Sequence, residues 1–343
     1  HPLPPNYLYL VNNQLDKKGS TSNKNSQSSW SEIIDFIITK DDFKTLFYKA
    51  AKGENIVTDN RTYANALLFD QFARRKPRER SLENLGLVNL VYPELEKTVL
   101  PEIAEKLKIT IEEWKDLLKI AVDYIIRYPF HFFYDDSLRN FSSSFYRSDL
   151  IFPANSEEPN VRTWPQYNSN AIKQSRLVLL LCAGLGWHSQ NDITKDREDQ
   201  LNDLLNKIWA TLRAKLLTSD GNGYKLNLSE KSKLEIAGLE YLCPVSKRLL
   251  DKVFRGYSPW IKGTLSPENI EYYNINPKYN NQFPTYAYPY HLTKENEKVK
   301  KNEIENWFIE NTNESKDKGL WNNLYERIFD NNNLYLAGEH SAQ

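Results

Sequence analysis

Between Thr110 and Ile125 the chain carries the pattern that most restricts its fold. Thr110 and Glu113 have the spacing of a capping box, in which each side chain accepts a hydrogen bond from the other residue's backbone N–H. Trp114, Leu117, Leu118, Ala121, Val122 and Ile125 then return at i, i+3, i+4, i+7, i+8 and i+11, which predicts a helix with one broad apolar face. Such a face must be buried against other elements, so the chain needs a real core around this helix. Tyr128-Pro129 ends the pattern, and an aromatic, irregular passage from Phe130 reaches roughly to Trp164-Pro165.

Elsewhere helical spacing dominates. Ile33, Ile34, Ile37, Phe43, Leu46 and Phe47 predict two short helices divided near Asp41. Further helices are predicted over 61–75, over 172–185, and from Asp196 onward, the last burying Leu201, Leu204, Leu205, Ile208, Trp209, Leu212 and Leu216. Segments 294–310 and 320–328 read as helices as well. Residues 85–92 have strand character, as do Leu334 to Leu336, and Asp220-Gly221-Asn222-Gly223 marks a hairpin turn with Tyr224 and Leu226 beyond it. The expected fold class is therefore mainly α, with a few short strands. A helix, a hairpin and a further helix near Cys243 are compatible with a winged-helix-like element. Residues 12–29 lack the apolar groups that offset the entropy of ordering and read as a linker.

The stretch from Cys243 to Trp260 reads as a short amphipathic helix. Pro244 suits a first turn and Gly256 the left-handed residue just past the end. On a wheel, Val245, Leu249, Leu250, Val253 and Phe254 share one half, opposite Lys247, Arg248, Asp251, Lys252 and Arg255. The charged half is either a solvated surface or a phosphate-binding face. A second basic group, Arg74, Arg75, Lys76 and Arg78, lies at the end of the predicted 61–75 helix. It admits the same two readings, because cations at a helix C-terminus also oppose the macrodipole.

Global charge gives no partner, since 45 basic residues balance 45 acidic ones among 343, and any attraction to nucleic acid must come from local patches. The two cysteines, Cys182 and Cys243, have no paired spacing for a metal or redox motif and read as small buried apolar residues. The longest apolar run, Leu177 to Ala183, is far shorter than a membrane span, so a cytoplasmic setting without membrane contact is expected. The absence of methionine and the start at His1 read as a fragment of a longer protein.

Three stretches carry a family resemblance. Cys-Pro-Val-x-x-Arg-Leu-Leu-Asp-x-x-Phe-Arg-Gly-x-Ser-Pro, from Cys243, resembles a segment of the large multidomain superfamily 2 helicases of the DEAD/DEAH-box class, the bacterial type that often carries a DUF1998 region. Phe72 to Arg75, Ser81 to Val88 and Tyr92-Pro93 look like an upstream part of the same proteins. Leu336 to Gln343 looks like the point where their second RecA-like lobe resumes. The resemblance implies an accessory region leading into that lobe, in four parts: 1–29 extended segment and linker, 30–240 helical accessory domain, 241–333 continuation, and 334–343 start of the lobe. It implies nucleic acid, DNA before RNA, and the remaining helicase lobes as partners, with roles in DNA repair or phage defence.

The chemistry of such a motor is not encoded in these residues. There is no G-x-x-x-x-G-K-[ST] to cradle phosphates and no D-E-x-[DH] to hold magnesium, so ATP and Mg belong to the parent protein and the fragment is expected to hold no cofactor or metal. Glu339, His340 and Ser341 cannot relay a proton among themselves, because neighbouring residues point in different directions. With Gln343 they correspond by resemblance to a helicase-lobe turn. The candidate nucleic-acid contacts are Arg74, Arg75, Lys76, Arg78, Lys247, Arg248 and Arg255, with no catalytic residue. The alternative is a helical protein-interaction scaffold without nucleic-acid contact.

Overall fold

The computed structural model describes residues 27–41, 43–44, 59–72, 88–127, 150–236, 239–246, 249–275 and 283–284. Strand β1 (Ser28–Ser29) runs straight into helix α1 (Trp30–Ile38), whose start is fixed by a capping box between Ser29 and Glu32. Helix α1 buries Trp30, Ile33, Ile34 and Ile37 against helix α2 (Asn60–Phe72). The Trp30 ring lies 5.3 Å from Phe69 and 5.8 Å from Phe72, and its indole N–H donates to Ser232 Oγ at 2.7 Å. Strand β2 (Val88–Val91) follows, then the short helix α3 (Glu102–Lys106) and the long helix α4 (Ile111–Arg127).

Helix α4 begins as its sequence predicts. Thr110 N–H donates to Glu113 Oε2 at 3.0 Å, and Glu113 N–H to Thr110 Oγ at 3.2 Å. All six predicted core positions, Trp114 through Ile125, are buried. Strands β3 (Ile151–Phe152) and β4 (Arg162–Thr163) precede helix α5 (Arg176–Gly184), a buried apolar rod capped by Ser175. The predicted start at Ile172 is four residues early. Ile172 is 78% exposed, and the Gln174 amide bonds back to Asn168 O, holding the preceding residues in a turn.

Helix α6 (Lys195–Lys215) packs its leucine face on α4 and α5, and the chain returns through the hairpin of β5 (Leu217–Asp220) and β6 (Gly223–Leu226). Asp220 pairs with Gly223, so Gly221-Asn222 is a two-residue loop, with Gly221 at a φ of 57° as such hairpins require at that place. Helix α7 (Leu228–Lys231) leads to β7 (Lys233–Ile236), then β8 (Leu239–Leu242) and β9 (Leu249–Leu250), helix α8 (Pro267–Glu271) and β10 (Phe283–Pro284).

The mainly α expectation is overturned. The described residues hold three small sheets among the helices, in the orders β1–β7–β2, β4–β3–β6–β5 and β10–β8–β9, so the class is mixed. Residues far apart in sequence supply these strands, which is why local periodicity underweights them. Val88 to Val91 pairs antiparallel with Ile236 to Lys233, across more than a hundred residues. The winged-helix-like arrangement is not formed, because its last helix is absent: Leu249–Leu250 is a strand paired with Tyr241 and Leu242. One apolar cluster runs from Trp30 to Tyr273, through α1, α2, α4, α5, α6 and the 250–273 segment. The expected strand at 334–336, the helices at 294–310 and 320–328, and the linker before residue 27 lie outside the described residues.

Candidate functional site

The predicted basic helix is replaced by a strap that crosses α4. After Cys243 the chain turns at Pro244 to Ser246, extends through β9, and reverses at Arg255-Gly256. Phe254 and Tyr257 exchange both backbone hydrogen bonds, at 3.2 and 2.9 Å, around this two-residue turn. Arg255 and Gly256 have φ values of 47° and 81°, the pair of left-handed residues that a type I′ turn demands. Gly256 is therefore left-handed as the sequence reading requires, but it closes a hairpin instead of a helix. The wheel fails with it: Val245, assigned to the packed half, is 42% exposed.

The strap is stitched at both ends. Ser258 Oγ–H donates to Cys243 Sγ at 3.0 Å and Ser246 N–H to the same sulfur at 3.3 Å, so one buried cysteine ties the entry of the segment to its exit. Ile275 N–H donates to Gly256 O at 2.7 Å, and Ser258 N–H to Tyr273 O at 3.1 Å. Phe254 lies on the last turn of α5, where a Cβ at Gly184 would stand 2.3 Å from its ring. Neither cysteine is in a disulfide, and burial pushes the Cys182 thiol up to about 12, which keeps it an unreactive core group.

Between strap and helix runs a ladder of ion pairs. Glu113, Asp116, Lys119 and Asp123 recur at intervals of three and four residues and so share a stripe of α4 beside its apolar face. The strap presents Arg255, Lys252 and Asp251 in the reverse order. Arg255 grips Glu113 through Nε at 3.0 Å and Nη2 at 3.1 Å, and donates to Lys108 O and Gly184 O. Lys252 meets Asp116 at 2.8 Å. Lys119, with its side chain 8% exposed, bridges Asp251 at 2.5 Å and Asp123 at 3.0 Å.

Environment splits the carboxylates. Burial pushes Glu113 up, but the Arg255 guanidinium and the Thr110 N–H together pull it further down, leaving it below the ordinary range. Asp116 goes the other way, because burial outweighs the attraction of Lys252. Glu235, on β7 beside the ladder, is likewise raised by burial despite its bond from Gln27.

Next to the ladder, Ile120, Asp123, Tyr124, Arg176, Leu177, Leu180, Pro259 and Trp260 line a shallow pocket between α4, α5 and the strap. The Arg176 guanidinium lies 4.9 Å from the centre of the Trp260 ring. Among the described residues no cluster of His, Cys, Asp or Glu is arranged to hold a metal ion.

Of the sequence-predicted contacts, only Arg255 is described, and it is an ion-paired structural residue on a turn instead of a member of an open helical face. Arg74, Arg75, Lys76, Arg78, Lys247 and Arg248 lie outside the described residues, as do Glu339, His340, Ser341 and Gln343. The ladder was missed because the wheel treats charges as solvent-facing. The signal was the polar stripe at 113, 116, 119 and 123, alongside the apolar one. Comparison of the chain with protein-family models, curated proteins and solved structures finds no match. Among the described residues no helix is long and apolar enough to cross a membrane.

Proposed function

We propose that the chain is a non-catalytic accessory region of a large ATP-dependent nucleic-acid motor of the DEAD/DEAH-box kind, working in the cytoplasm. The parent's lobes supply ATP, Mg and hydrolysis, and this region contacts the nucleic acid, DNA in the first instance, or couples the motor to it. The observation that carries this reading is the strap: Cys243, Arg255, Gly256 and Ser258, all within the stretch that resembles those helicases, combine into one tied and ion-paired unit. A motif spent on fixing a segment to α4 suits a rigid accessory element and leaves catalysis elsewhere.

A second reading, a protein-interaction scaffold, is favoured by a different observation. Lys252 and Arg255 are both matched by carboxylates, which removes two cations from the expected positive face. One experiment separates the two. The purified chain is titrated with a labelled single-stranded oligonucleotide at low salt while ATP turnover is followed. Binding without turnover supports the accessory reading, no binding supports the scaffold, and turnover abolished by a point change in this chain overturns both.

A further inference from the structure

Three lysines that are distant in sequence meet where α6 ends. The hairpin register sets Leu217 beside Leu226, so Lys215, the last residue of α6, and Leu228, the first of α7, lie at the same end of the hairpin. Helix α7 closes with Lys231, and Lys233 then pairs with Val91 at the end of β2, which brings the segment after β2 alongside. Two turns hold that segment: Leu95 N–H donates to Tyr92 O at 2.9 Å, and Thr98 N–H to Leu95 O at 3.2 Å. Leu95, Leu216 and Leu228 are buried and fix the backbone beneath the charges. Glu94 pairs with Lys97 at 2.6 Å. The hydrogen bond and charge of Lys97, and then the charges of Lys215 and Lys231, hold the Glu94 carboxylate below its ordinary range. Glu96, the next carboxylate along the segment, is taken by Lys115 at 3.2 Å. Among the described residues Lys215 and Lys231 form no ion pair, either with Glu94 or with the exposed Glu230 on α7. One carboxylate is thus shared among three ammonium groups, and two of these keep their N–H donors.

We infer that Lys215 and Lys231, with Lys97 held by Glu94, form a surface that takes the phosphate backbone of a single nucleic-acid strand. The inference rests on the nucleic-acid reading above and gives it a place on the fold. An ammonium group is a compact point charge that suits phosphate and carries no planar fork for bidentate recognition, so this surface positions a strand without reading its sequence. Each lysine that neutralises a phosphate adds about 0.7 to the salt slope on a single strand. Glu94 opposes the contact, and removing its charge should strengthen binding, a sign that loss of folding cannot imitate.

The test uses the full chain and a fluorescein-labelled oligothymidine, with affinity measured across a salt series. Lys215→Gln/Lys231→Gln is expected to weaken binding and lower the slope by about 1.4. Glu94→Gln releases Lys97 and is expected to tighten binding severalfold, with a slope higher by about 0.7. Lys173→Gln/Lys262→Gln removes the same charge from exposed positions before α5 and after the strap, and is expected to leave the slope unchanged. Circular dichroism and thermal melts identify variants that remain folded. Binding by the wild type with affinity and slope unchanged in folded Lys215→Gln/Lys231→Gln, or lowered equally by Lys173→Gln/Lys262→Gln, overturns the surface and leaves the accessory reading standing. Absence of binding by the wild type overturns both, and retention of labelled polyglutamate in its place would give the lysines an acidic protein partner instead.

Discussion

At the scale of single residues, Glu113 serves two partners at once. Its carboxylate accepts from Thr110 N–H at the start of α4 and from Arg255 on the strap. Because its folded pKa lies below the unfolded value, the stability it contributes is complete above about pH 4.3 and is lost as pH falls through the folded value. Asp116, raised by burial, has the opposite sign: its contribution is complete below the unfolded value and declines as pH rises through the folded one. Glu113→Gln should therefore flatten the acid limb of stability, and denaturant midpoints measured between about pH 5 and about pH 2.5 check this. An acid limb as steep as the wild type's in that variant would assign the acid sensitivity to other groups. Lys119 gives a sharper expectation. Lys119→Met removes the cation that Asp123 and Asp251 share in a largely buried site, and should cost about 3–5 kcal/mol by chemical denaturation.

At the scale of elements, the strap depends on close approach to α5. Gly184 leaves room for the Phe254 ring, and a Cβ there would overlap it. Gly184→Ala should destabilise by about 1–3 kcal/mol, and Phe254→Leu should cost less in the Gly184→Ala background than in the wild type. Additive costs in that double-mutant cycle would contradict the contact. The helix-forming parts of the chain were legible because their information is local. The Thr110–Glu113 box and the 114–125 stripe contain everything that α4 needs, and Gly221-Asn222 contains most of what the β5–β6 turn needs. The strap was not legible for the same reason reversed. Its apolar residues fit a 3.6 period, but β8 pairing, the Cys243–Ser258 tie and three carboxylates or amines on α4 decide its conformation, and all except the tie lie outside the 243–260 window. Two consecutive left-handed residues exclude a helix at Arg255-Gly256, and glycine alone signals only the second of them.

At the scale of the whole molecule, a helical scaffold built on α4, α5 and α6 carries three small sheets, and one apolar cluster extends from Trp30 to Tyr273, across the domain boundary expected between residues 240 and 241. The fold class was misjudged because short strands that pair across long sequence separations leave little periodic trace. Sequence reading singled out Arg255 as part of a charged half-wheel and did not show its pairing with Glu113, since neither a wheel nor a charge count shows which cations carboxylates already hold. This bears directly on function. If the chain contacts nucleic acid, Lys247 and Arg248 remain candidates for phosphate contact, whereas Arg255 is committed to Glu113. The most direct measurement is the salt dependence of binding to a labelled single strand, compared among the wild type, the Lys247→Glu/Arg248→Glu double variant and Arg255→Met. The account predicts that the double variant binds more weakly with a slope lower by about 1.4, while Arg255→Met, kept below its melting transition, loses stability and retains the wild-type slope. A slope unchanged in the double variant, or lowered as much by Arg255→Met, would contradict it.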